Sequence, residues 1–230
     1  MMTRQKSFML LILSLVLGFQ LPAQTQLSLT LGRSQQDNFL THLNVSQVVN
    51  DRLSLGFSGQ FGSPNLRFIE AKPIQDEGYA VSLALPGSFK LTESGKTQVF
   101  AFFQLGYRWQ GIFDPDGNDM RDSILNSQAL LGEIGLMVVR ELGPRLNLQS
   151  GISFPIAYEL QPTRLFENMT TLIHAGLFYE LESSALLYLR GTMGPSFGAS
   201  GDSQKFLWSV QAGMAFSLSG SVQSFTFPTL

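Results

Sequence analysis

The side chains best suited to acid–base chemistry are two histidines, His42 and His174. Each lies in a segment where large apolar residues alternate with small or polar ones, and both fall on the polar side of that alternation. Glu180 lies three positions further along the same side as His174. A histidine with a carboxylate and a serine can carry out nucleophilic hydrolysis, but no G-x-S-x-G sequence marks such a serine here. The alternative is a histidine that only hydrogen-bonds its neighbours.

Charged residues form a second candidate set on the same polar side of the alternating segments. They are Arg108, Glu133, Glu180 and Arg190, with His174 among them. If this side points into the interior of a closed sheet, each charge is costly unless it is paired. Two interpretations remain open, because both require opposite charges inside: an ion-pair network that closes the interior, and a charged constriction along a solute path.

One local motif suggests a metal. Asp114, Asp116 and Asn118 match ligand positions 1, 3 and 5 of a calcium loop. Position 6 is Asp119, where glycine is needed, and position 12 is Leu125, where a bidentate glutamate is needed. Because the match fails at these two positions, it is a weak candidate beside an ordinary exposed turn. No cofactor and no metal site are expected.

The elements that would position these side chains are β-strands. The stretch FLWSVQAGMAFSL, Phe206–Leu218, alternates large apolar residues with small polar ones without a break, and a period of two predicts a two-faced strand. The same period recurs in ten candidate strands: Thr25–Arg33, Asn38–Val48, Arg52–Phe61, Gly78–Leu85, Thr97–Trp109, Asn126–Val139, Leu146–Tyr158, Thr170–Leu181, Ser184–Gly194 and Lys205–Leu218. Pro86–Lys96 is expected to be a long turn.

The composition of the two faces indicates which of them points outward. A soluble lipocalin-like barrel, the alternative, would place its apolar face inside and would expose Lys and Glu. Here the other face consists of Ser, Gly, Gln, Asn and Ala, which suits a narrow hydrated interior. Charged residues are 14 % of the chain, against about 25 % in soluble domains. We therefore expect an all-β fold, an antiparallel up-and-down transmembrane β-barrel of about ten strands, with eight as the alternative.

The beginning of the chain has the features of a secretory signal. Arg4 and Lys6 precede an apolar stretch, Ser7–Phe19, and Ala23 offers a cleavage site. The expected organisation is a signal peptide over residues 1–23, a barrel over 24–218, and a tail or extra short strand over 219–230. The chain has no cysteine, and its 17 acidic residues exceed its 15 basic ones, so neither disulfides nor a nucleic-acid partner is expected.

These features together resemble the small outer-membrane β-barrel proteins of Gram-negative bacteria, including the PorT-like group. The resemblance covers essentially the whole mature chain and rests on the signal, the repeated two-faced strands and the aromatic-rich final strand. It implies an outer-membrane location, with membrane lipid and the barrel-assembly machinery as partners. One departure is that Ser219–Leu230 continues past Phe216, where such barrels often end. Either this tail lies in the periplasm, or Phe225 and Phe227 belong to another strand.

The expected function is non-enzymatic: a barrel with a largely filled polar lumen and a structural, assembly or adhesion role carried by its extracellular loops. A narrow channel for small solutes is the alternative, and an outer-membrane lipid hydrolase using His174 is the third. Two long loops, Gly62–Glu77 and Gln110–Leu125, combine apolar and acidic residues, which suits docking of a protein or a glycolipid. Their interaction candidates are Arg67, Phe68, Phe113, Asp114, Asp116 and Asp119.

Overall fold

A computed structural model describes residues 24–34, 39–62, 78–112, 127–161, 166–182, 184–198 and 204–218. These residues form eleven strands: β1 Thr25–Ser34, β2 Phe39–Val48, β3 Leu53–Gly62, β4 Gly78–Ser94, β5 Thr97–Ile112, β6 Ser127–Gly143, β7 Leu146–Gln161, β8 Phe166–Thr170, β9 Leu172–Glu182, β10 Ala185–Gly198 and β11 Gln204–Ser217. None of the described residues forms a helix long and apolar enough to cross a membrane.

The strands close into one antiparallel barrel. Each strand from β1 to β8 pairs with the next along the chain, β9 pairs with β7 and β10, and β10 pairs with β11. The sheet closes where β1 pairs with β11, with Leu29 opposite Met214. The short strand β8 and the strand β9 both lie between β7 and β10 and follow one another in the same register. They are therefore two parts of one wall strand, and the barrel has ten strands. This confirms the ten-strand expectation over the alternative of eight.

The two ends of the barrel differ in the connections they carry. The turn end, as we call it, holds the short connections between β2 and β3, β4 and β5, β6 and β7, and β9 and β10, together with the start of β1 and the end of β11. The opposite end is the loop end. At the turn end the β4–β5 connection is two residues, Gly95 and Lys96, and Gly95 has a φ of 56°, a left-handed conformation that glycine adopts without strain.

The expectation of a long turn over Pro86–Lys96 is wrong, because β4 continues through Pro86 to Ser94, with one irregularity between Lys90 and Thr92. Proline has no N–H for a sheet ladder, and pairing with β3 lapses between Leu55–Gly87 and Ser58–Ala84. The buried Pro86 ring fits there because β3 has Gly56 opposite, where a Cβ would lie 3.2 Å from the ring. The proline therefore interrupts the hydrogen-bond ladder between β3 and β4 at this point, and Pro86 still pairs with Gln104 of β5.

The outside of the wall is apolar and its inside is mostly polar. Leu105 and Ile134 face outward with 63 % of their surface exposed, whereas inward-facing Ser28 and Gln104 are 3 % and 1 % exposed. Toward the loop end of β5, the ring centroids of Tyr107 and Trp109 lie 4.3 Å apart on the outer face. This distribution is the reverse of that in a water-soluble barrel and is the one found in barrels surrounded by lipid.

Candidate functional site

A belt of polar side chains crosses the middle of the lumen. Glu133 points inward from β6, directly opposite Gln104 of β5, whose amide nitrogen donates to a Glu133 oxygen at 3.0 Å. From the neighbouring wall, Ser153 of β7 and His174 of β9 meet through a 2.6 Å hydrogen bond between Oγ and Nε2. The same Nε2 lies 4.0 Å from Oε1 of Glu133. Strand parity alone directs these side chains inward, and the barrel's closure brings them together.

Arg190 of β10 provides the positive charge of this belt. Its guanidinium donates to the Gln211 side chain at 2.7 Å, lies 5.9 Å from the centre of the Tyr188 ring, and interacts electrostatically with Glu133. Arg190 is 1 % exposed and Glu133 is 3 % exposed. Two opposite charges removed from water in this way stabilise each other only as long as both are present.

The arrangement of Ser153, His174 and Glu133 differs from that of a hydrolytic triad. In a triad the carboxylate binds the ring nitrogen opposite the one that faces the nucleophile. Here Ser153 and Glu133 both approach Nε2, while Nδ1 of His174 has no hydrogen-bond partner among the described residues. The three side chains are also buried. This geometry suits a hydrogen-bonded cluster that joins three wall strands better than one that attacks a substrate.

The predicted charge set is brought together in part. Glu133, His174 and Arg190 lie in the belt, whereas Glu180 and Arg108 lie elsewhere. Glu180 is six residues from His174 on β9, about 20 Å along the strand, and accepts a hydrogen bond from Asn147 near the turn end at 3.1 Å. Arg108 lies toward the loop end of β5, in register with Ser82 and Ala129. His42 faces inward from β2 between Thr30 and Gln60 and is buried.

Below the belt, the turn-end half of the lumen is closed by large side chains that we call the plug. On one side the Phe178 and Tyr188 rings stack 5.3 Å apart beside Leu186 and Ala215. The Tyr188 hydroxyl reaches past Gly213 of β11 and hydrogen-bonds Thr30 of β1. On the other side Phe102 packs with Met137 and Val139. The inward face was expected to be small and polar throughout, and over this half that expectation is wrong. Parity marks these residues as inward, but it does not show that large apolar groups would meet there.

Glycines on the wall make the plug possible. A Cβ on Gly213 would lie 2.4 Å from the Tyr188 ring, and one on Gly135 would lie 2.5 Å from the Phe102 ring. Each aromatic ring therefore lies flat against a neighbouring strand at a position without a side chain. The narrow barrel gains enough room in this way to bury both rings.

The loop candidates Arg67, Phe68, Phe113, Asp114, Asp116 and Asp119, with the weak calcium ligand Asn118, lie outside the described residues, as do the signal segment and the tail. Among the residues that the structure describes, no group of three or more His, Asp or Glu side chains could hold a metal ion.

Comparison with known proteins gives likeness in fold and nothing closer. No protein-family model matches this chain, and no curated protein does. Similar solved structures include Neisserial surface protein A, at 10 % identity over 84 % of this chain and 94 % of that one, with a TM-score of 0.41. The NanC porin is 12 % identical over 84 % and 100 %, with a TM-score of 0.45. A major outer membrane protein from Thermus thermophilus is 15 % identical over 85 % and 99 %, with a TM-score of 0.43.

Proposed function

We propose that this chain is an integral outer-membrane barrel with a closed lumen, and that its role is structural or adhesive and carried by its loop end. The observation that supports a closed lumen is that its largest inward-facing side chains are buried. Phe178, Leu186 and Met137 have no exposed surface, and Arg190 above them has 1 %. Water that filled a continuous path along the axis would touch these groups.

Placement in a membrane follows from the outer face. Removing apolar surface from water is worth about 25 cal/mol per Å², and this wall leaves most of its large apolar side chains outside, Leu85, Leu189 and Val210 among them. A protein with such a surface is stable where its surroundings are apolar as well. Because the number of wall strands is even, the start of β1 and the end of β11 lie at the same end of the barrel, the turn end. We assign this end to the periplasm.

The loop end then projects from the cell, and recognition is assigned to its long connections. Lipid occupies the outer face and packed side chains occupy the lumen, so the surface left for a partner is on the loops. The partner chemistry suggested by their mixed acidic and apolar residues is a protein or a glycolipid bridged by divalent ions. Membrane lipid and the barrel-assembly machinery are the general partners of a protein of this kind.

Two measurements test this function. Fractionation with heat-modifiable gel mobility should recover the protein in the outer membrane as a folded barrel, and recovery as a soluble periplasmic protein would contradict the placement. Planar-bilayer recording should show no steady conductance from the purified barrel. Reproducible ohmic steps would reject the closed lumen and favour a narrow channel for small solutes.

A loop deletion tests where the role lies. Removing Phe113–Asp122 should leave a heat-modifiable barrel that no longer binds cells, glycolipid vesicles or partner proteins captured by the full chain. A deletion of residues 200–202, at the same end of the barrel, is the matched control, because it leaves three residues between the paired Phe197 and Gln204, enough for a hairpin turn. Unchanged binding after the first deletion would move the function away from this loop.

A further inference from the structure

Two prolines lie beside the same point of the barrel wall. On β7, pairing with β9 ends at Ser153–Leu172 and resumes with β8 at Ile156–Met169, so Pro155 lies opposite Thr170. On β10, pairing ends at Met193–Ile173 and resumes at Ser196–Thr170, so Pro195 lies opposite Thr171. The register is the same on both sides of each gap. The strand is therefore continuous at Thr170–Thr171, which we call the seam, and it lacks one ladder hydrogen bond on each side.

The backbone carbonyls of Thr171 and Thr170 are the two groups that lack a ladder donor. The Thr171 N–H donates to the Pro195 carbonyl at 3.0 Å, so Thr171 faces β10, and the return bond would need the N–H that proline lacks. Successive residues of a strand face opposite neighbours, so Thr170 faces β7 and meets Pro155 with the same result. The two backbones come close together here, since a Cβ on Gly194 would lie 1.8 Å from the Thr171 oxygen, and position 194 therefore accepts only glycine.

At the seam, one wall strand lacks a ladder bond on both of its sides. In a bilayer no water replaces a missing ladder bond, and segments with few backbone bonds open at the lowest free energy. Pro86 interrupts the ladder on one side of its strand and fills the gap with its own ring against Gly56. At Thr170–Thr171, by contrast, the ladder is interrupted on both sides of one strand.

Hydrogen-bonding groups lie directly behind the seam. Thr170 and Ser196 join through their hydroxyls at 3.0 Å, and Thr192 joins Ser209 at 2.8 Å. His174 is the cross-strand partner of Thr192. The outer side of the same seam is apolar and exposed, formed by Met169, Ile173, Met193 and Phe197. A wall one strand thick thus separates lipid chains from this cluster of hydroxyls and an imidazole, which we call the niche.

We propose that the wall opens laterally at Thr170–Thr171 and admits the polar end of a membrane lipid into this niche. Ester or carboxylate oxygens of such a lipid would accept hydrogen bonds from the Ser196 and Thr192 hydroxyls, and the Thr170 hydroxyl donates to Ser196 and holds it in place. The plug closes the axial route from the turn end, so the seam is the short path from the bilayer. This proposal rests on the membrane placement proposed above.

Single-cysteine variants can test the opening because the chain has no cysteine of its own. Ser196→Cys places a thiol in the niche, Ser28→Cys places one in the lumen behind unbroken ladders on both sides, and Ile173→Cys places one on the outer face. Each is refolded into phosphatidylethanolamine–phosphatidylglycerol vesicles, and the folded fraction is confirmed by heat-modifiable mobility. The thiols are then offered either a long-chain N-alkylmaleimide dissolved in the lipid or a charged maleimide in the water.

The lipid-borne reagent should label Ile173→Cys fastest, Ser196→Cys measurably and Ser28→Cys hardly at all. The charged reagent should be slower than the lipid-borne one at Ser196→Cys. Adding Pro195→Ala restores a ladder donor and should slow lipid-borne labelling of Ser196→Cys about fivefold, the factor that one ordinary net hydrogen bond gives. Thr192→Cys serves as a second niche position if Ser196→Cys refolds poorly.

Equal lipid-borne labelling of Ser196→Cys and Ser28→Cys would overturn the lateral opening, and so would faster labelling of Ser196→Cys from water. Failure to label Ile173→Cys from the lipid would instead overturn the membrane placement. The two failures are therefore distinguishable within one set of variants.

Discussion

Arg190 and Glu133 show what a buried charge requires of its neighbours. We expect Arg190→Met to lower the free energy of unfolding by about 3–5 kcal/mol, because the Glu133 carboxylate is left buried without its countercharge. Adding Glu133→Gln should recover most of the loss. Urea unfolding in vesicles, followed by heat-modifiable mobility, measures both. Arg140→Met, which changes an exposed arginine near the turn end of β6, is the control and should cost little.

Additive losses in the double variant would contradict this coupling. They would show that each charge is held by its uncharged neighbours, Gln104 for Glu133 and Gln211 for Arg190, with no net attraction between the two.

Two glycines on β6 give a matched pair for the packing of the plug. Gly135→Ala should destabilise the barrel by about 1–3 kcal/mol, the usual range for an overpacked site, because its Cβ would meet the Phe102 ring at 2.5 Å and the Ile152 carbonyl at 2.6 Å. Gly132→Ala, three residues earlier, has nothing within 4 Å of its Cβ and should be neutral. Urea midpoints of the two variants provide the measurement, and equal midpoints would contradict the packing argument.

For single residues, the sequence predicts whether a side chain faces the lumen better than it predicts which side chains it contacts there. Parity points Glu133, His174 and Arg190 inward, and the structure finds all three buried. It cannot show that Ser153 meets His174 while Glu180 lies near the turn end, because that depends on how strands far apart in sequence are aligned. The orientation of a side chain is a local property, whereas register is fixed by turns and by packing across strands.

The final strand offers a test of which face meets lipid. Val210 lies on the outer face of β11 and is 49 % exposed, whereas its neighbour Ser209 points inward and hydrogen-bonds Thr192. Val210→Arg should cost about 2–4 kcal/mol, the penalty for an arginine at the bilayer midplane, and Val210→Leu should be tolerated. Ser209→Ala should cost less than Val210→Arg. Unfolding in vesicles measures all three, and a reversed order would mean that the faces are exchanged.

At the scale of strands, alternation is a strong signal and proline is a misleading one. Ten two-faced segments predict ten wall strands, and each predicted segment overlaps one of them. The error over Pro86–Lys96 arose because proline usually ends a strand. Gly56 on the neighbouring strand makes room for the ring, and that compensation cannot be read from the segment that contains the proline.

For the whole molecule, closure and filling depend on different information. An even set of two-faced strands predicts a closed antiparallel barrel, since an open sheet would leave an edge without partners in the membrane. Whether the lumen of that barrel is filled depends on side chains that are far apart in sequence but lie at the same height along the barrel axis. Phe102 and Tyr188 belong to strands on different parts of the wall, and their sequence neighbourhoods do not indicate that each meets a glycine on the next strand.

The plug can be tested by removing it. A double variant, Phe178→Ala with Tyr188→Ala, takes away the stacked pair that closes one side of the turn-end lumen, and Phe102→Ala opens the other side. Each truncation costs about 3–5 kcal/mol where the cavity does not collapse, so folding is checked first by heat-modifiable mobility.

Among the folded proteins, planar-bilayer recording should show conductance steps for the triple variant and none for the unaltered chain. Tyr179→Ala, one residue from Phe178 and facing lipid at 46 % exposure, is the matched control and should stay silent. A folded triple variant without conductance would mean that the polar belt around Arg190 closes the lumen by itself.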